Sequence, residues 1–151
     1  MKKILAALLI TLLSVSMCFA AGSACTSVSE KVGNILYVHW SWTSDDATGA
    51  VTCSGKGSVI ISGLILGLKF TPAAANTIPS DAYDVLMNNA TSADVAMGVG
   101  ANVTNDDGLT TQWKKPENAS GGPIILYKET ISPAVTNAGN SKTGTITMAI
   151  Y

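Results

Sequence analysis

The chain has 151 residues, with nine lysines, no arginine and ten acidic residues, and its formal net charge is −1. A chain of this length can build one hydrophobic core but not two. Charged residues make up 13%, about half of the share usual in soluble domains. Because nucleic-acid binding relies on clustered Lys and Arg, this composition argues against direct binding of DNA or RNA.

The first twenty residues have the three parts of a secretory signal peptide. Lys2 and Lys3 form a basic start, an apolar run follows over residues 4–13, and small residues surround a cleavage point after Ala20. A membrane anchor is the alternative, but it needs about 20 uninterrupted apolar residues. We therefore predict a signal peptide over residues 1–20 and one mature domain over 21–151. That domain is expected to be exported by a bacterial cell, to the periplasm or the medium, and to be free of the membrane.

Removal of the signal peptide leaves two cysteines, Cys25 and Cys53, and seven lysines against ten acidic residues, a formal charge of −3. In an oxidising compartment an isolated pair of cysteines favours a disulfide. A metal site is the alternative, but the chain has no CxxC motif and His39 is its only histidine. We therefore predict a Cys25–Cys53 disulfide and no metal or other cofactor.

The clearest structural element is a strand over residues 34–43, in which apolar and polar residues alternate with period two. The set expected to face the core is Leu36, Val38, Trp40 and Trp42. The opposite set is Tyr37, His39 and Ser41. A turn follows, and the next strands are predicted at residues 50–54 and 58–70, the second interrupted at Ser62-Gly63.

The rest of the chain alternates strand and turn signals. Residues 83–87 are a strand candidate, residues 93–99 fit either a short strand or a helical turn, and residues 102–115 have the composition of a long surface loop. Three further strands are predicted, at residues 124–127, 130–136 and 143–151. Residues 137–140, Asn-Ala-Gly-Asn, have the composition of a hairpin connector.

Seven or eight short strands without intervening helices predict an all-β fold. The expected architecture is a single antiparallel β-sandwich, with a jelly-roll or immunoglobulin-like layout, after the signal peptide helix.

Residues with catalytic chemistry are few. His39 is the only candidate general base, but it lies mid-strand and the chain has no GxSxG elbow, so a solvent-facing strand histidine is favoured. The aspartates lie mostly in turn sequences, where Asp forms local backbone hydrogen bonds. Neither Asp-Asp pair, at 45–46 or 106–107, follows the calcium-loop pattern with a closing Glu. We therefore predict a non-enzymatic protein.

Exposed aromatic rings support one binding hypothesis. Trp113 lies in a polar stretch beside Gln112, and Tyr37 is on the outward set of the first clear strand. Rings of this kind can stack against the faces of sugars, so both residues are predicted to bind a ligand by stacking. Trp40 and Trp42 share a face with Val38 and are predicted to lie in the core.

Five motifs occur in order over about residues 34–151: Trp42-Thr43-Ser44-Asp45 with Thr48-Gly49, Leu68-Lys69-Phe70-Thr71-Pro72, Tyr83-Asp84-Val85, Gly98-Val99-Gly100-Ala101-Asn102, and residues 135–145. In these motifs the chain resembles a family of small structural proteins from the virions of tailed phages and prophages. The resemblance implies a non-enzymatic, oligomeric β protein that acts through contacts with other subunits. The signal peptide and the cysteine pair depart from that family's pattern.

The sequence thus leads to one principal expectation and two alternatives. The principal expectation is an exported structural or assembly protein of phage-like ancestry, whose partners are other protein subunits. The first alternative is a secreted glycan-binding or adhesive module that uses Trp113 and Tyr37. A hydrolase that depends on His39 or on one of the aspartates ranks third.

Overall fold

The computed structural model describes residues 22–73, 77–105 and 112–151. The predicted signal peptide lies outside the described residues, and so do Asp106 and Asp107 of the predicted long loop. No helix within the described residues is long and apolar enough to cross a membrane.

The described residues form eight strands, with a 3-10 turn at Gly55–Gly57. The strands are β1 (Ala24–Val32), β2 (Ile35–Thr43), β3 (Val51–Thr52), β4 (Val59–Pro72), β5 (Asp84–Asn88), β6 (Gln112–Lys114), β7 (Ile125–Thr136) and β8 (Thr143–Ile150). Every pairing between them is antiparallel. The prediction of an all-β, antiparallel sandwich is therefore confirmed.

The strands form two layers that are joined by β4. The first layer contains β1, β2, β8, the second half of β4, and β6, in this order. In the second layer β7 pairs with β5, with β3 and with the first half of β4. Because β4 continues from one layer into the other, the result is one curled sheet around a single core.

Gly63 forms the corner at which β4 changes layer. Its φ is +140°, and a Cβ atom there would lie 2.5 Å from both Ile150 Cγ2 and the Tyr151 carbonyl oxygen. The strand register also shifts between Ile61 and Gly63. Only glycine combines this conformation with so close an approach of neighbouring atoms. The predicted interruption at Ser62-Gly63 is therefore the bend that closes the sheet.

The core lies between the inner faces of the two layers. Val38, Trp40 and Trp42 are buried, as their alternation predicted, and Trp40 Nε1 donates a 2.7 Å hydrogen bond to the Gly57 carbonyl oxygen. The Trp42 ring packs against Tyr83 beside β5, with ring centroids 5.8 Å apart. One face of β2 therefore holds the two layers together.

The predicted disulfide is present between Cys25 of β1 and Cys53, which directly follows β3. The two Cα atoms are 5.1 Å apart, and Cys53 is fully buried. The bond ties the first strand of the first layer to the second layer. A disulfide of this kind is compatible with export to an oxidising compartment.

Several strand predictions were incomplete. Strand β1 was not predicted, because its sequence is rich in Ser, Glu and Lys and most of its residues are exposed. Residues 125–136 form one continuous strand rather than two. Residues 93–99 form turns with a single bridge at Asp94. The hairpin prediction for residues 137–140 was wrong, since β7 and β8 lie in different layers and this segment crosses between them.

Strand β4 also departs from its predicted alternation. Leu68 and Phe70 are buried as expected, but Leu66 is 39% exposed while Ile65 is buried. A register shift between Ile65 and Gly67 accounts for the reversal, because one extra residue turns the side chains to the other face. This shift brings Leu66 and Gly67 to the outer face of the first layer.

Candidate functional site

Tyr37 and Trp113, the two rings predicted to stack against a ligand, line the same groove on the outer face of the first layer. The groove has a volume of about 330 Å³. Its other lining residues are Leu66, Gly67, Lys114, Lys115 and Ala149. Trp113 is 52% exposed, so its ring is accessible to a ligand. We call this site the aromatic groove.

The floor of the aromatic groove consists of two small residues. The strand register places Ala149 of β8 opposite Tyr37 on one side and opposite Gly67 of β4 on the other. A Cβ atom at Gly67 would lie 3.1 Å from Cε3 of Trp113, so the absence of a side chain lets the indole lie close to β4. Larger side chains at these two positions would fill the space between the rings.

Trp113 belongs to a strand, although a long surface loop was predicted for this part of the sequence. Strand β6 pairs with β4, and Trp113 lies opposite Lys69. With only three residues, β6 is too short to give a period-two signal. The pairing fixes the backbone of Trp113 against the first layer.

Lys69 places a positive charge beside the aromatic groove, with its Nζ 6.0 Å from the centroid of the Trp113 ring. Lys114 points to the inner face instead, where its Nζ lies 5.9 Å from the centroid of the buried Phe70 ring. Both distances are within the range of cation–π attraction. Lys115 forms a 3.2 Å ion pair with Glu117. Lys69, Lys114 and Lys115 are three of the seven lysines in the predicted mature domain.

His39 lies beside the groove, one outward position along β2 from Tyr37. The rings of Tyr37 and His39 are stacked with centroids 6.4 Å apart. The distance between His39 Nδ1 and Thr147 Oγ1 is 3.0 Å, and that between His39 Nε2 and Glu30 Oε1 is 3.4 Å. The side chain is about one-third exposed, so the outward orientation predicted for His39 is confirmed.

Glu30, His39 and Thr147 form a chain of carboxylate, imidazole and hydroxyl groups that resembles a hydrolytic triad in its order. Such a triad also needs free hydrogen-bond donors where an oxyanion develops. Thr147 lies mid-strand, paired with His39 on one side and Lys69 on the other, so the backbone amides around it belong to the sheet ladder. The arrangement therefore fits hydrogen bonding across a sheet surface better than acyl transfer.

A second groove lies at the other end of the same strands. Its volume is about 500 Å³, and residues of β1, β2, β4 and β8 line it. Hydroxyl side chains from all four strands line it: Thr26, Ser41, Thr43, Thr71, Thr143 and Thr145. We call this surface the hydroxyl track. Thr147 connects it along β8 to Ala149 in the floor of the aromatic groove.

Among residues 22–73, 77–105 and 112–151, no group of three or more His, Cys, Asp or Glu side chains is placed to hold a metal ion. Asp45 and Asp94 are both used in their own turns, where they accept hydrogen bonds from nearby backbone amides. Turn formation, which the sequence favoured for these aspartates, accounts for both.

Sequence reasoning found the two rings of the groove but missed most of its other residues. Gly67, Ala149 and Lys69 come into place through strand register and through the shift in β4. Neither feature leaves a local signal in the sequence.

Comparison of the chain with protein-family models, curated protein sequences and solved structures gives no match. The resemblance to phage structural proteins therefore stays a prediction.

Proposed function

We propose that the protein is an exported, non-enzymatic binding protein that holds glycans in the aromatic groove. One observation carries this proposal: two aromatic side chains from β2 and β6 line one groove whose floor is Ala149 and Gly67. The proposal also includes cleavage of the signal peptide and residence in the periplasm or the medium.

The chemistry of the groove suits a sugar. One face of a pyranose presents C–H groups, which pack against an aromatic ring, while its hydroxyl groups require hydrogen-bonding partners. Trp113 supplies an exposed ring, and His39, whose side chain is about one-third exposed, supplies a polar group one row away on the same face. Only 13% of the residues are charged, so hydroxyl and amide groups make up much of the polar surface that a sugar would meet.

The first test is binding of the oxidised, exported protein to a panel of polysaccharides. Trp113→Ala should weaken binding by at least tenfold, as expected when a central aromatic contact is truncated. Trp113→Phe keeps a ring at the site and should retain part of the affinity. Tyr127→Ala is a matched control, because Tyr127 is also an exposed aromatic residue, at 77%, but lies in the second layer.

Two outcomes would contradict the glycan proposal. One is the absence of binding to any polysaccharide in the panel. The other is binding that survives Trp113→Ala unchanged, or that Tyr127→Ala weakens equally, because the aromatic groove would then not be the site.

A second candidate function is assembly with other protein subunits, and β1 is the observation that favours it. This strand has nine residues, and among the described residues it pairs only with β2. Val28 and Val32 on it are 67% and 59% exposed. A long open edge of this kind can pair with a strand of another molecule.

Sedimentation of the exported protein over a range of concentrations tests the assembly candidate. Self-association that Val28→Lys abolishes would support it. A protein that stays monomeric at every concentration and associates with no particle or envelope structure would contradict it.

A further inference from the structure

Lys69, beside the aromatic groove, has no carboxylate within 4.0 Å of its ammonium among the described residues. Lys114 follows Trp113 on β6 but points to the other face, where its Nζ lies at the Phe70 ring. The predicted mature domain carries a net charge of −3. An ammonium group without a carboxylate partner therefore lies at the Trp113 ring, on a chain that is acidic as a whole.

The hydroxyl track and the aromatic groove lie along the same strand, β8. Thr143, Thr145 and Thr147 follow one another at alternate positions of β8 and lead to Ala149. Successive residues on one face of a strand are about 7 Å apart. A chain-like ligand that enters the aromatic groove can therefore continue along β8, past the buried Thr147, to the half-buried Thr145 and Thr143.

We propose that the aromatic groove and the hydroxyl track together bind a linear acidic polysaccharide, whose sugars carry carboxylate or sulfate groups. This inference rests on the proposed glycan-binding function. The sugar ring stacks on Trp113, and its anionic group contacts Lys69. The ammonium of Lys69 already lies at the Trp113 ring, so one sugar can meet both groups.

A single-stranded nucleic acid is the other anionic polymer that combines aromatic stacking with positive charge. The protein lacks the arginines that fork onto phosphates, and the hydroxyl track offers no further cations along the path of a backbone. An acidic polysaccharide, with many hydroxyl groups and fewer charges, matches this surface better.

The test uses polygalacturonate, its carboxyl-reduced neutral form, a sulfated polysaccharide and poly(dT), each titrated into the oxidised protein. Polygalacturonate or the sulfated polymer should bind about tenfold more tightly than the neutral polymer at low salt. This preference should shrink as salt is added. Comparing the carboxylated with the sulfated polymer identifies which anion is preferred.

The variant Lys69→Gln should lose the preference for acidic polymers while still binding the neutral one. Lys128→Gln is the matched control, because Lys128 Nζ lies 5.8 Å from the Tyr127 ring in the second layer. It repeats the pairing of a lysine with an exposed ring away from the groove, so the control should behave like the unmodified protein.

Equal binding of acidic and neutral polysaccharides would overturn this inference and leave the glycan proposal standing. Binding of no polysaccharide at all would overturn both. Tighter binding of poly(dT) than of any polysaccharide would replace the polysaccharide with a nucleic acid. A preference that persists in Lys69→Gln would show that this lysine does not produce it.

Discussion

The two faces of the first layer hold tryptophans in opposite surroundings. On the inner face, Trp40 is fully buried and its indole donates a hydrogen bond to the Gly57 carbonyl oxygen. On the outer face, Trp113 is 52% exposed and lies over Gly67. The same type of side chain therefore stabilises the fold on one face and is available for binding on the other.

The largest expected effect is the difference in stability between the alanine variants of these two tryptophans. Trp40→Ala should lower the free energy of unfolding by about 3–5 kcal/mol, because it leaves a cavity and an unpaired carbonyl group. Trp113→Ala should change it by no more than about 0.5 kcal/mol. Urea denaturation of both variants measures the contrast.

Trp40→Phe, which retains a ring, provides a milder variant should Trp40→Ala fail to fold. Equal losses of stability for Trp40→Phe and Trp113→Ala would break the distinction between the two faces.

The disulfide extends the comparison from the centre of the first layer to β1 at its edge. It closes a loop with a sequence separation of 28, so Cys25→Ala/Cys53→Ala should lower the free energy of unfolding by about 3.5 kcal/mol on the chain-entropy model. Hydrogen exchange should show the loss first in Ala24–Val32, because most of β1 is exposed and, within the part of the chain that the structure describes, β2 is its one paired strand. The centre of β8, which is paired on both sides, should stay protected.

Uniform loss of protection over β1 and β8 in that double variant would instead show that the disulfide stabilises the whole sandwich rather than its edge.

The ionisation of Tyr83, which packs against Trp42 in the core, allows the effect of burial to be tested by pH. Burial raises the pKa of Tyr83 from 10.0 to about 12, because the charged phenolate is poorly solvated in the core. The stability that the neutral form contributes is present below pH 10 and is lost as the pH rises towards 12. Alkaline unfolding followed by circular dichroism should therefore begin in this range and should be less steep in Tyr83→Phe.

Tyr127→Phe is the control for the alkaline experiment, since it removes a phenol that is 77% exposed in the second layer. An equal change in the alkaline unfolding of Tyr127→Phe would mean that burial of Tyr83 is not the cause.

The inner face could be predicted from the sequence, whereas the outer face could be predicted only in part. Alternation in β2 identified Val38, Trp40 and Trp42 as core, because each strand's inner face repeats with period two. The outer groove depends on the alignment of β2, β8, β4 and β6. That alignment is set by contacts between distant segments and by the register shift in β4, neither of which has a local pattern.

The smallest effect is expected at the exposed turn between β2 and β3. Asp45 Oδ1 accepts hydrogen bonds from the backbone amides of Thr48 and Ala47, and these hold its pKa below the ordinary value of 3.8. A lowered pKa means that the carboxylate adds stability above about pH 4, and that this stability is lost as the pH falls through the folded-state pKa. Asp45→Asn should therefore be less stable than the unmodified protein at neutral pH, and this difference should vanish in acid.

Asp81→Asn is the matched control, because Asp81 is exposed and accepts one backbone hydrogen bond, from Ala82, rather than two. Thermal unfolding at neutral pH should show a smaller loss of stability for Asp81→Asn than for Asp45→Asn. The reverse order would mean that the turn amides do not hold the Asp45 carboxylate. Because this turn lies outside the core, either result isolates the contribution of a surface turn from that of the buried tryptophans.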